Sequence, residues 1–75
     1  MENDNKFSIE LARKKAGLTQ EEISEALGMS RNQYREYEKG KIVFRMDTAW
    51  RFSEIVGLSI DSIIFFNANY TSSVV

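Results

Sequence analysis

The sequence predicts an all-α fold of five short helices, and three observations carry that expectation. Apolar residues recur at three- and four-residue spacing through most of the chain, proline is absent, and Thr19 and Ser30 stand where helix-starting caps are needed. With 75 residues, 43% of them hydrophobic and 28% charged, the chain is expected to form one small domain over positions 1–75, with its core at about 7–66. A domain this small buries only ~60% of its unfolded surface, which suits helices joined by short connections.

Caps and periodicity place the elements in order. The first helix is expected over residues 7–16, with Phe7, Ile9, Ala12 and Ala16 roughly on one face and Gly17 as its stop. Lys14 and Lys15 fall in its last turn, where the helix dipole favours positive charge. Thr19 caps the second helix, and Glu22 completes a Thr-x-x-Glu capping box. Gly28 accepts the left-handed conformation of a tight turn. Ser30 then caps the third helix, with Gln33 as its box partner and Gly40 as its end. Asp47 opens the fourth, whose Ala49, Trp50, Phe52, Ile55 and Val56 supply apolar surface before Gly57, with Trp50 and Phe52 read as core.

Ser59 begins the fifth helix, which carries Ile60, Ile63, Ile64 and Phe66. Neighbouring Phe65 and Phe66 point about 100° apart on a helix, so one small core has difficulty taking both. Two stretches resist the helical account. Residues 41–45, KIVFR, form a loop in which Phe44 can fold back over the core. Residues 67–75 are a tail, read as a dimerisation segment, a frayed end or a short strand.

Composition excludes most catalytic chemistry. Without cysteine or histidine there is no disulfide, no thiolate zinc site and no usual general base. Without a carboxylate cluster or a Gly-rich phosphate loop, no enzyme is recognisable, and neither a cofactor nor a metal nor a small-molecule ligand is expected. No apolar run approaches the ~20 residues of a membrane span, and the polar start MENDNKF is unlike a signal peptide, so a cytoplasmic location is expected.

The formal charge of −1 conceals an uneven distribution. Residues 31–51 hold six basic and three acidic side chains, a local +3, while the segments before and after it are each −2. Because salt limits each phosphate's view to ~8–10 Å, such a patch can bind nucleic acid on an acidic chain.

The patch begins inside the most informative window, residues 20–39, QEEISEALGMSRNQYREYEK. Ile23, Leu27, Met29, Tyr34 and Tyr37 supply the apolar positions for two helices packed at a steep angle, with Ser24 as the small residue at their approach. The layout is that of a helix-turn-helix. It places Arg31, Asn32, Gln33 and Glu36 where base edges of the DNA major groove would be read.

These residues resemble the Cro/C1-type, XRE-like helix-turn-helix family of phage and bacterial repressors over about residues 9–64. The blocks that carry the likeness are Leu18-Thr19-Gln20-Glu21-Glu22-Ile23, Leu27-Gly28, Ser30, Tyr37-Glu38-Lys39-Gly40-Lys41, and Val56-Gly57-Leu58-Ser59-Ile60-Asp61 before Ile63. The resemblance implies a five-helix lambda-repressor-like domain with double-stranded DNA as partner. It implies phosphate contacts from Gln20, Ser30, Lys39, Lys41 and Arg45, and a structural ion pair between Arg13 and Glu38. It also implies pairing of two domains on a palindromic operator. Ile60, Ile64, Phe65 and Tyr70, with Val74 and Val75, are the candidate dimer seam.

The chain departs from the family pattern at several positions. Phe44 replaces a usual loop proline, Ser24 a usual alanine, and Tyr34 a common aliphatic residue, which would bring its hydroxyl to the DNA-facing rim. Glu36 is acidic on a face meant to meet phosphates. The main expectation is a sequence-specific transcriptional regulator of repressor type. The rival is a protein-interaction module, antitoxin-like or co-regulatory, that uses the same fold with little specific DNA binding.

Overall fold

The computed structural model describes residues 6–65. Within them the chain forms four α-helices, not five, together with a pair of very short strands. In chain order these are β1 (Phe7–Ser8), α1 (Ile9–Lys15), α2 (Gln20–Leu27), α3 (Arg31–Glu38), α4 (Met46–Val56), a 3-10 turn (Ile60–Ser62) and β2 (Ile63–Ile64).

The expected helix over 7–16 begins two residues later, because Ser8 leaves it at the cap. The Ser8 side chain accepts from Leu11 N at 3.1 Å, and the extended backbone at that cap continues back through Phe7. The capping box at Thr19 forms in both directions, Thr19 Oγ1 accepting from Glu22 N at 3.0 Å and Glu22 Oε1 from Thr19 N at 2.9 Å. At Ser30 only half of the expected box is made: its hydroxyl accepts from Gln33 N at 3.1 Å, and the Gln33 side chain stays exposed.

The expected fifth helix is replaced by the 3-10 turn and β2. A run of Ile63, Ile64 and Phe65 cannot put its apolar groups on one helical face, and β-branched residues are stiff in a helix. Extended backbone solves the problem by alternation. Ile63 turns inward at 5% exposure, Ile64 outward at 46%, and Phe65 back against the core. β2 pairs in parallel with β1, Phe7 opposite Ile63 and Ser8 opposite Ile64. The two ends of the described segment are thereby joined.

The core gathers Ile9 and Ala12 of α1, Ile23 and Leu27 of α2, Tyr34 and Tyr37 of α3, and Ala49, Phe52 and Val56 of α4. Phe44 folds back into it from the loop and contacts three rings. Its centroid lies 4.2 Å from Tyr37, 5.4 Å from Phe52 and 5.6 Å from Phe65. Trp50, expected in the core, is 56% exposed. The inward face of α4 is set by Ala49, Phe52, Ser53 and Val56, and Trp50 lies about 100° round the helix from it.

Candidate nucleic-acid interface

The site is built on the turn between α2 and α3. Gly28 adopts φ 73°, and the chain reverses there, with Met29 N returning to the carbonyl of Ser24 at 3.0 Å. Ile23, Tyr34 and the small, 4% exposed Ser24 close the angle between the two helices, and the Ser24 hydroxyl donates to the carbonyl of Glu21 at 2.9 Å. With Tyr34 and Tyr37 committed to the core, the first turn of α3 must present its remaining residues to solvent. Arg31, Asn32 and Gln33 are all exposed, and Glu36 is half-buried.

The loop after α3 adds cations. Gly40 at φ 78° turns the chain so that Lys41 N donates to the carbonyl of Glu36 at 3.0 Å. Lys39, Lys41 and Arg45 are exposed. Arg45 lies 3.5 Å from Asp47, but both are so open to water that the pair holds neither firmly. Gln20 is half-buried and shares an open groove with Lys14, Thr19 and Arg31, so one expected phosphate ligand and one expected base reader lie together. Ser30 is exposed, with its hydroxyl occupied as the α3 cap.

Behind this surface three helices meet at one carboxylate. Glu38 Oε2 accepts from Arg13 Nε at 2.6 Å and from the Tyr34 hydroxyl at 2.6 Å, while Oε1 accepts from Gln20 Nε2 at 2.9 Å. Arg13 is buried, and its Nη1 donates to the carbonyl of Leu18 at 2.9 Å. Burial alone would raise the Glu38 pKa, but the bonds from Arg13, Tyr34 and Gln20 and the Arg13 charge outweigh it and hold the carboxyl below its ordinary value. Burial acts to lower the Arg13 pKa, and Glu38 outweighs it upward. Burial and the bond to Glu38 both push the Tyr34 phenol up.

Tyr34 is therefore not at the DNA-facing rim: it is fully buried, with its hydroxyl turned to Glu38. Sequence reasoning missed this contact, although Tyr34 and Glu38 stand four apart on one helix, a spacing that brings side chains together. It also missed that Gln20 reaches Glu38.

The candidate seam is spread over different surroundings. Ile64 is exposed, Ile60 is half-buried against the core, and Phe65 packs on Phe44 and Phe52 with ring centroids at 5.6 and 6.2 Å. Tyr70, Val74 and Val75, like the 67–75 tail, lie outside the described residues. Among the described residues no group of three His, Cys, Asp or Glu side chains could hold a metal ion, and no helix is long and apolar enough to cross a membrane.

Two short helices about a left-handed glycine, an outward first turn rich in hydrogen-bonding side chains and a cationic loop behind it define a helix-turn-helix module. The chain belongs to the Cro/C1-type, XRE-like helix-turn-helix family, whose model, described as Helix-turn-helix, matches residues 9–63. It is a family of DNA-binding transcription regulators and generally not of enzymes. No curated protein and no solved structure matches the chain.

Proposed function

We propose that this protein is a sequence-specific transcriptional repressor that lays α3 in the DNA major groove and acts by occupying an operator. The observation that carries this reading is the division of α3 between two faces: Tyr34 and Tyr37 are buried, and Arg31, Asn32 and Gln33 are left exposed in its first turn. Arginine pairs best with guanine, asparagine and glutamine with adenine, and Glu36 can accept from a cytosine amino group. Gln20, Ser30, Lys39, Lys41 and Arg45 serve the phosphates, which set register and carry no sequence information.

One such module makes too few contacts for tight specific binding, so the protein works as a homodimer on a palindromic site with half-sites ~34 Å apart. Exposed Ile64 and half-buried Ile60, with Phe65, support a seam near the end of the described segment, and the fourth candidate, Tyr70, lies outside the described residues. The protein works in the cytoplasm as a single helix-turn-helix domain with its core at about 7–66, and it needs no cofactor or small-molecule ligand.

Selection of duplexes from a random pool tests the reading. A palindromic consensus, bound by two copies in light scattering, is the expected result. Recovery of no preferred sequence would favour the protein-interaction alternative. A monomer both free at high micromolar concentration and on DNA would remove the dimer.

A further inference from the structure

Three donors from three helices converge on the Glu38 carboxylate, and the way they divide its oxygens has a chemical consequence. Arg13 and Tyr34 both occupy Oε2, which leaves Oε1 to Gln20. An ionised carboxylate only accepts, so the amide of Gln20 must turn its nitrogen inward. One N–H is then committed to Glu38, and the second N–H of the same nitrogen is held at a fixed place beside the first turn of α2, where backbone N–H groups are also free. Without such a tie, a glutamine at a helix start would sample several rotamers and either amide polarity.

We propose that Glu38 is a positioning residue for DNA binding: it fixes the polarity and place of the Gln20 amide, so that Gln20 meets a DNA phosphate with a preset N–H donor. The inference rests on the DNA-binding reading above. Tyr34 belongs to the same device, because its hydroxyl fills the second site on Oε2 and confines Gln20 to Oε1. The packing of α1 and α3 is in this way linked to a contact made at the start of α2.

Glu38→Gln provides the sharpest test. Arg13 and Tyr34 still demand an oxygen, so the new amide presents its nitrogen to Gln20, donor against donor, and Gln20 has to turn over. Binding of the selected duplex is measured over a salt series for Glu38→Gln and Gln20→Ala and for the double variant, all below their melting temperatures. Tyr34→Phe, which keeps the ring in the core, is run alongside alone and with Gln20→Ala. The expected result is that each of Glu38→Gln and Tyr34→Phe weakens binding, Glu38→Gln by about tenfold, and that both penalties vanish in the Gln20→Ala background.

Equal penalties in both backgrounds would mean that Glu38 and Tyr34 act only through the fold, and the proposal would be overturned with the DNA-binding reading intact. The same holds if neither variant weakens binding. If the wild-type chain binds no duplex, the DNA-binding reading and the proposal fall together.

Discussion

The Tyr34 hydroxyl donates to Glu38 Oε2 at 2.6 Å, one turn away on the same helix, on an oxygen that Arg13 also occupies. The helix, expected to tie Glu38 to Arg13, thus keeps a second polar contact inside the protein. Tyr34 is fully buried, and burial of a phenol is tolerable because the hydroxyl has this acceptor.

Stability should therefore fall at both ends of the pH scale for identifiable reasons. Glu38, with its pKa held below the ordinary value, binds a proton more readily in the unfolded chain. Its contribution is complete above the unfolded value of about 4.3 and is lost as pH falls through the lower folded one. Tyr34, pushed up, contributes fully below about 10 and loses that contribution as pH rises further. Melting curves across both limbs should show Tyr34→Phe losing part of the alkaline fall while keeping an acid fall. An unchanged alkaline limb in that variant would count against the assignment.

Breaking the buried ion pair should be costly. The Arg13 and Glu38 side chains are 10% and 7% exposed, so Arg13→Ala leaves a buried carboxylate without its charge partner and should cost about 3–5 kcal/mol in urea unfolding. Lys14→Ala, which removes an open pair with Glu10 at 3.0 Å, should cost less than about 1 kcal/mol. Similar midpoints for the two variants would contradict the brace.

The two large aromatics of α4 should separate in the same way. Phe52 is fully buried among Phe44 and Phe65, and Phe52→Ala should lose about 3–5 kcal/mol through lost transfer energy and a cavity. Trp50→Ala should change stability by less than about 0.5 kcal/mol. Emission from Trp50, the chain's one tryptophan, should already be solvent-like in the folded protein and shift little on unfolding.

Most of the local interactions were announced by the residues. The Thr19 box, the Gly28 and Gly40 turns and the buried faces of α2 and α3 follow from caps and spacing within one or two turns of helix. The failures come mainly from competition between elements distant in sequence, the Tyr34–Glu38 contact within α3 being a local exception. Ile63 and Ile64 leave a helical pattern because β1, more than fifty residues earlier, offers them a strand to pair with. Trp50 loses the interior because the packing of Phe44 and Phe65 on Phe52 turns the Ala49, Phe52, Ser53 and Val56 face of α4 inward, and Trp50 lies about 100° round from it. Tyr34 and Gln20 turn to Glu38 because Arg13 of α1 has placed that carboxylate beneath them. For the site itself, the exposed run Arg31, Asn32 and Gln33 was legible from the Ser30 cap, while of the network behind it the family resemblance implied the Arg13–Glu38 pair but not the bonds from Tyr34 and Gln20.

The most direct measurement of the central claim is a salt titration of the selected duplex with wild type, Arg31→Ala and Lys41→Ala. Arg31→Ala should cost about 1–3 kcal/mol and relax preference at one base position if exposed Arg31 has the base-reading role proposed for it. Lys41→Ala should weaken all sequences alike and reduce the salt slope by about one, as loss of a phosphate contact does. Wild-type affinity and unchanged base preference in Arg31→Ala would contradict the account.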